Sequence, residues 1–230
     1  EHVVLEPRRV LEEAQQGTGE VQVTLLQCIP KGRKLDQIVR QAVEAGVSRI
    51  VPVHSEHTVV RLEDDNKVRS RLDRLDRIAR EAREQCGGSR PTEILPPVEL
   101  RRLSAEPGLA LFLHQQPLGF PEQPVVQPPG PSGSPPLEGP SQTGYPAAPT
   151  EAGKQLSLHE VLTSAGPGTR LSLLVGPEGG LSPADVQHLL SIGYLPIYLG
   201  PRVLRVETAA IFALGAILVS LLERDRWNPK

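Results

Sequence analysis

Two short segments late in the chain contain residue types that bind anions and polar ligands. The first, GPEGG at residues 176–180, places three glycines in five positions. This density of glycine is typical of a loop whose backbone bends sharply or lets a ligand come close. The second, PRVLRVETAA at residues 201–210, carries Arg202, Arg205, Glu207 and Thr208. Because a guanidinium group offers paired N–H donors, arginines here suit a phosphate or a carboxylate.

Both segments also have a purely structural interpretation. The glycines can form a tight turn that connects a strand to a helix, and one arginine can simply pair with Glu207. The two common phosphate signatures are not matched, since GPEGG lacks the Gly-Lys-Ser/Thr of a P-loop and is not a dinucleotide fingerprint. The glycines alone therefore support a nucleotide-like site and a tight turn about equally.

The order of apolar segments predicts an α/β fold. A strand, a helix and a second strand are predicted at residues 20–32, 33–47 and 48–55. A βαβ unit of this length requires parallel strands. The pattern adds strands at 109–114, 169–175 and 194–200, a short helix at 156–164 and a helix capped by Ser182. Since parallel strands end at the same edge of a sheet, the loops after residues 175 and 199 are expected to meet there.

Residues 66–88 predict an amphipathic helix with two open interpretations. Its apolar stripe consists of Val68, Leu72, Leu75, Ala79, Ala82 and Cys86. Arginines off the stripe, at positions 71, 74, 77, 80 and 83, are mixed with Asp and Glu. The mixture favours a solvated surface of charge pairs. The alternative is an arginine-rich surface that binds RNA phosphate.

Composition restricts the class of protein. The formal net charge is −2, so a polyanion would have to meet a local basic patch. Cys28 and Cys86 are far apart, which favours reduced thiols and a cytoplasmic protein. His54 and His57 lie close together, but no further ligand pattern completes a zinc site, and no metal is expected. The longest apolar run, Ala209–Leu222, has 14 residues, fewer than the roughly 20 of a membrane span, and predicts a buried helix or a subunit interface.

A proline-rich segment interrupts the pattern. Eleven of the 36 residues from Gln115 to Thr150 are proline, and only Glu122 and Glu138 are charged. Such a composition buries too little apolar surface to offset the entropy lost on ordering. We therefore predict a flexible insertion over residues 115–155.

The late motifs together resemble one protein family. LLVGPEGGLSPADV at residues 173–186, followed by YLGPRVLRVETAA at residues 198–210, is similar to RsmE-type 16S ribosomal RNA uridine-N3 methyltransferases of the SPOUT class. Earlier segments at residues 25–53 and 79–94 resemble the same family in the same order. The resemblance covers roughly residues 21–113 and 156–224.

The resemblance implies a fold, a cofactor and partners. The fold is a SPOUT-type parallel sheet flanked by helices, with a C-terminal deep trefoil knot. The methyl donor is S-adenosylmethionine, and no metal takes part. The acceptor is N3 of a uridine in 16S rRNA or the small ribosomal subunit. A homodimer acting in the cytoplasm is expected, without membrane or DNA.

The same resemblance assigns residues to roles. The implied cofactor-binding residues are Val175, Gly176, Gly179, Gly180, Leu199, Gly200, Leu204 and Arg205. The implied catalytic residues are Arg205 and Glu207. Uracil N3 must lose a proton before it can accept a methyl group, so Glu207 could accept that proton or Arg205 could stabilise the anion. We favour Arg205 as the stabilising group and leave the base open.

Two departures from the family leave alternatives open. The family has an N-terminal PUA-like RNA-binding barrel, whereas only residues 1–20, a remnant or linker, precede the methyltransferase domain expected at 21–230. Either the sequence is a piece of a longer protein or RNA is bound by other means. The proline-rich insertion has no counterpart that the resemblance supplies. A non-catalytic SPOUT dimer that binds RNA or a partner, and the same chemistry on another RNA, are the alternative functions.

Overall fold

The structure is a computed structural model that describes residues 22–59, 64–104, 107–116, 157–163 and 170–226. Within these residues, seven parallel strands form the middle layer of the protein. The strands are β1 (Gln22–Cys28), β2 (Arg49–His54), β3 (Glu93–Ile94), β4 (Val98–Glu99), β5 (Leu109–Leu113), β6 (Arg170–Val175) and β7 (Leu195–Ile197). The helices are α1 (Lys34–Glu44), α2 (Asp65–Cys86), α3 (Leu158–Thr163), α4 (Pro183–Ser191) and α5 (Val206–Arg226), with a 3-10 turn at Leu100–Arg102. The predicted insertion, except for Gln115 and Gln116, and residues 1–21 lie outside the described residues.

The order of the strands in the sheet is β3-β2-β1-β6-β5-β7. Both β3 and β4 pair with β2, β3 with its first residues and β4 with its last. Every strand pair is parallel, which confirms the predicted α/β fold. The strands also end together, since Gln27 pairs with Val175 and Leu113 with Ile197. The strands β6 and β7 are not adjacent, because β5 lies between them. Their loops nevertheless leave the same edge of the sheet.

Helices cover both faces of the sheet. Side chains alternate along β1, so that Val23 and Leu25 pack toward α1, α2, α3 and α5. Leu26 and Cys28 pack on the other face, toward α4 and the 3-10 turn. Burying a leucine such as Leu25 contributes about 1.5–3 kcal/mol to stability. The continuous apolar character of the central strands thus follows from burial on both faces.

Helix α2 largely follows its predicted stripe. Leu75, Ala79 and Ala82 are buried, and so is Ile78, which the stripe omitted. Cys86 is exposed, because the helix ends there and Gly87 turns the chain in the left-handed conformation. Arg74 binds Asp36 of α1, a contact that fits a surface of charge pairs.

Helix α5 begins earlier than the sequence predicts and presents two different faces. It starts at Val206, so Glu207 lies in its first turn and not in the preceding loop. One face, including Ala210, Leu214 and Ile217, is fully buried against the core. Within the described ranges, α5 is the one helix long and apolar enough to cross a membrane, which is weak evidence because core helices of soluble proteins meet the same criterion. The opposite face exposes apolar side chains, namely Phe212, Val219 and Leu222.

Helix α4 is fixed at its start by a reciprocal capping box. Ser182 Oγ accepts a hydrogen bond from the Asp185 amide at 3.1 Å, and Asp185 Oδ2 accepts one from the Ser182 amide at 3.3 Å. Pro183 occupies the first turn, where its missing N–H is not needed. The Ser182 hydroxyl also donates to Glu56 Oε2 at 2.8 Å. The helix start is therefore tied to the loop after β2.

Replacing this cap tests the structural role of Ser182. We expect Ser182→Ala to lower the free energy of unfolding by about 1–2 kcal/mol, because it removes a cap and leaves the buried Asp185 amide without its acceptor. Ser191→Ala, at the exposed end of the same helix, should change it by less than about 0.5 kcal/mol. Urea unfolding of both variants measures the difference. Equal losses in the two variants would contradict the capping role.

Candidate ligand site at the carboxyl edge of the sheet

A cavity of about 690 Å³ opens where the strands end. Its walls come from the loops after β2, β5, β6 and β7 and from the start of α5. This volume falls within the roughly 300–1,000 Å³ of typical small-molecule pockets. Because all strands are parallel, four loops that are distant in sequence are brought to one edge.

Most of the residues that the sequence assigned to a cofactor line this cavity. They are Val175, Gly176, Gly179, Gly180, Leu199, Gly200 and Leu204. The two residues assigned to catalysis, Arg205 and Glu207, are absent from the lining. Arg205 is exposed and lies directly before α5, immediately after Leu204. The structure thus brings the two predicted loops together but places the catalytic candidates beside the cavity.

Glycine is required in these loops for two different reasons. Gly180 has a φ of 71° and Gly200 a φ of 107°, a left-handed conformation that side chains rarely adopt. At Gly176 and Gly179, space is the constraint. A β carbon there would lie 3.3 Å from Leu181 Cγ and 3.2 Å from His57 Cβ, respectively. These stretches of the cavity wall therefore consist of backbone, which a ligand can approach closely.

The side chain of Glu178 anchors the glycine loop, which we define as residues 176–180, to the loop after β1. Its carboxylate accepts hydrogen bonds from the Lys31 amide at 3.1 Å and from Lys34 Nζ at 2.8 Å. Partial desolvation opposes ionisation of this carboxyl, but the bonds from Lys34 and Lys31 outweigh it and lower its pKa. The bond to Glu178 in turn raises the pKa of Lys34. This pair keeps both charges in place at neutral pH.

Lys34 also explains the position of Glu207. Its Nζ lies 3.7 Å from Glu207 Oε2, a buried atom without a hydrogen-bond partner among the described residues. The expected alternative was that Glu207 pairs with an arginine, and the observed partner is this lysine instead. Arg205 forms no side-chain hydrogen bond or ion pair within the described part of the chain. Its guanidinium group is therefore available to a ligand.

Several lining residues were missed by the sequence prediction. Residues 113–116 line the cavity although the insertion was predicted to begin at Gln115. His114 Nδ1 lies 2.7 Å from the Gln116 carbonyl oxygen, so both residues belong to the ordered site. Burial lowers the pKa of His114. The end of β5 at the same sheet edge was the signal that could have found them.

His57 was considered only as a metal ligand. It lines the cavity, and its Nδ1 contacts the carbonyl oxygens of Gly179 and Gly180. Among the described residues, no group of three or more His, Cys, Asp or Glu side chains could hold a metal ion. His57 thus contacts the glycine loop from the loop after β2.

The fold and this cavity agree with one protein family. The family described as RNA methyltransferase domain matches residues 18–122 and 141–218. The chain belongs to this family, which confirms the resemblance inferred from the late motifs. Ribosomal RNA small subunit methyltransferase E of Bacillus subtilis is 27% identical over 198 residues, which are 86% of this chain and 65% of that protein. Ribosomal RNA small subunit methyltransferase E of Mycobacterium tuberculosis is 42% identical over 79 residues, which are 32% of this chain and 29% of that protein.

Solved structures support the same fold. A methyltransferase of Legionella pneumophila in complex with SAM is 28% identical, with a TM-score of 0.61 over 87% of this chain and 66% of that chain. Ribosomal RNA small subunit methyltransferase E of Neisseria gonorrhoeae, bound to S-adenosyl methionine, is 24% identical, with a TM-score of 0.63 over 86% of this chain and 66% of its own. The chain spans about 65% of the Bacillus relative and 66% of these two solved chains.

The anchoring of Glu178 predicts a pH-dependent stability. Because folding lowers the pKa of this carboxyl from its ordinary value of 4.5, its contribution is complete above that pH and disappears as the pH falls through the folded pKa. Glu178→Gln should therefore lower the free energy of unfolding by up to about 1 kcal/mol at pH 7, and by less below pH 4.5.

The matched control for this pair is Glu93→Gln. Glu93 also bonds a cationic side chain, that of Arg49, but the Glu93 and Arg49 side chains are more than half exposed, at 56% and 58%. This variant should differ little from the wild type. Urea unfolding from pH 7 to pH 3 compares the two variants. A Glu178→Gln effect that stays constant across this range would contradict the anchor.

Proposed function

We propose that the protein is an S-adenosylmethionine-dependent methyltransferase that methylates N3 of a uridine in 16S ribosomal RNA. The observation that carries the proposal is the cavity, which is lined by seven of the eight residues that the late motifs assign to the cofactor. Membership of the RNA methyltransferase domain family supports the reaction class. The SAM complex of the Legionella relative supports the choice of methyl donor.

The residues of the cavity suit this methyl donor. The glycines of the glycine loop carry no side chains, so a polar ligand can come close to the backbone there. Val175, Leu199 and Leu204 offer apolar surface beside it. When bound, the donor supplies an electrophilic methyl group on a sulfonium. The protein's contribution is to hold the acceptor close and in line.

Arg205 is the residue that we propose meets the reacting base. Its exposed, unpaired guanidinium can stabilise the uracil anion that forms as N3 loses its proton. Glu207 fits a supporting role better, because it is partly buried and lies beside Lys34. A carboxylate in the first turn of α5 also interacts favourably with the helix dipole. We leave the group that removes the proton open.

The path of the chain supports the proposed deep trefoil knot. After β6, the chain crosses to the far side of β5 to form β7. Helix α5 then returns to pack against β6 and α1. We further propose that residues 21–230 form one methyltransferase domain, with 115–155 as an insertion. The family match leaves out residues 123–140, which supports the insertion.

A cytoplasmic homodimer is part of the proposal. The exposed face of α5 carries Phe212, Val219 and Leu222, whose exposed fractions are 56%, 53% and 51%. Their spacing places them on one stripe of the helix. Such a stripe is well covered by the same stripe of a second copy, as in a two-fold symmetric dimer.

Light scattering tests the dimer. We expect the wild type to have about twice the 25.0 kDa mass of one chain at micromolar concentration. Phe212→Glu should shift it to the mass of a monomer, since a buried charge would stand in the interface. Val59 is an exposed apolar residue in the loop after β2, so Val59→Glu should leave the dimer intact. A monomeric wild type would overturn this part of the proposal.

Two alternatives remain distinct. A non-catalytic dimer that binds RNA or a partner would keep the fold but transfer no methyl group. The same chemistry on another RNA would label an RNA other than that of the small subunit. Methyl transfer from labelled donor to small-subunit and large-subunit RNA separates the three functions.

Arg205→Ala tests the mechanism. We expect the single-turnover rate at saturating RNA to fall by roughly 10²–10³-fold, the effect of removing one group that stabilises a developing oxyanion. Arg77→Ala, on the exposed surface of α2, should keep that rate. Any loss of RNA affinity in the latter variant should shrink as salt is added, since it would reflect phosphate contact alone. An unchanged rate in Arg205→Ala would disprove the catalytic assignment.

A further inference from the structure

One ring nitrogen of His57 contacts two backbone carbonyl groups of the glycine loop. Its Nδ1 lies 3.0 Å from the Gly179 carbonyl oxygen and 3.3 Å from that of Gly180. Both partners are acceptors, so Nδ1 must carry the proton and donate to them. In the neutral form of the ring, the lone pair is then on Nε2. The structure thus defines the tautomer of an exposed histidine.

The contact is also close in space. A β carbon at Gly179 would lie 3.2 Å from His57 Cβ, so the loop backbone packs directly on this side chain. The preceding residue, Glu56, reinforces the contact. Glu56 accepts a hydrogen bond from the Ser182 hydroxyl at 2.8 Å, and its own amide donates to Asp185. The loop after β2 therefore contacts both the glycine loop and the helix start that follows it.

The two sides of the glycine loop are held by different elements. Lys31 and Lys34, after β1, hold the side chain of Glu178. His57, after β2, holds the backbone carbonyls of the next two residues. Inside the loop, the Gly180 amide donates to the Pro177 carbonyl at 2.9 Å. Apart from Glu178, the loop consists of three glycines and one proline and has few interactions of its own, so these external contacts decide its conformation.

We propose that His57 is a positioning residue that, through its Nδ1–H, keeps the glycine loop in the conformation that receives the methyl donor. The choice of ligand rests on the proposed function, whereas the effect on the loop does not. The imidazole acts through the loop backbone. Its loss should weaken donor binding and leave turnover at saturating donor unchanged.

Three substitutions separate the two ring nitrogens. His57→Ala removes both. His57→Asn places an amide N–H₂ near the position of Nδ1, and His57→Gln places one near the position of Nε2. His159→Asn, at an exposed histidine of α3, is the matched control. A positioning role through Nδ1 requires rescue by Asn and not by Gln.

The first measurement uses the ligand-free protein. We expect the hydrogen-exchange rate of the Gly180 amide to rise roughly three- to tenfold in His57→Ala, the effect of losing one hydrogen bond. In His57→Asn this rate should return to that of the wild type. Nitrogen-15 NMR of the wild-type ring should show the Nδ1–H tautomer. Unchanged Gly180 exchange in His57→Ala, or an Nε2–H ring, would overturn the proposal.

The second measurement uses the demethylated product, S-adenosylhomocysteine, as the probe. Its Kd should rise roughly three- to tenfold in His57→Ala, with kcat unchanged and the KM for the donor raised. Equal affinity of this variant and the wild type, or rescue by Gln alone, would show that His57 does not act through the loop. Failure of the wild type to bind the probe would overturn the proposed function, while the ligand-free exchange still decides the role of His57.

Discussion

The carboxylate of Glu178 accepts hydrogen bonds from the Lys31 amide and the Lys34 ammonium, and this contact fixes the loop around which the site is built. Glycines lose more backbone entropy on ordering than other residues, so the glycine loop needs external contacts to hold one conformation. The parallel sheet supplies them, because β1 and β2 end at the same edge as β6. The cavity, the start of α4 and the approach to α5 then follow from where this loop lies.

The same lysine organises the charge of the site. Lys34 lies between Glu178 and Glu207 and compensates part of their negative charge. Arg202 and Arg205, at or beside the cavity, have no ion-pair partner among the described residues. A chain whose net charge is −2 thus presents local positive charge where the proposed RNA substrate would have to approach.

Local sequence predicted the elements well but not their spatial order. The strand before GPEGG, the cap at Ser182 and the stripe of α2 follow from periodicity and capping chemistry, which act over a few residues. The position of β5 between β6 and β7 depends on long-range pairing, which periodicity does not encode. For the same reason His57 was missed as a part of the site, since its partners lie 122 and 123 residues away. Glu207 was placed in a loop because its pairing with Lys34 and the early start of α5 are tertiary features.

The central claim is that the cavity between the glycine loop and the loop after β7 holds the methyl donor. Titration of nitrogen-15-labelled protein with S-adenosylhomocysteine, followed by amide chemical shifts, tests it most directly. The account predicts that the largest shifts fall on the amides of Gly176, Gly179, Gly180 and Gly200, which line the cavity. The amides of surface residues away from it, such as Arg77 on α2, should not shift. No shift at these glycines at millimolar ligand, or shifts centred on another surface, would contradict it.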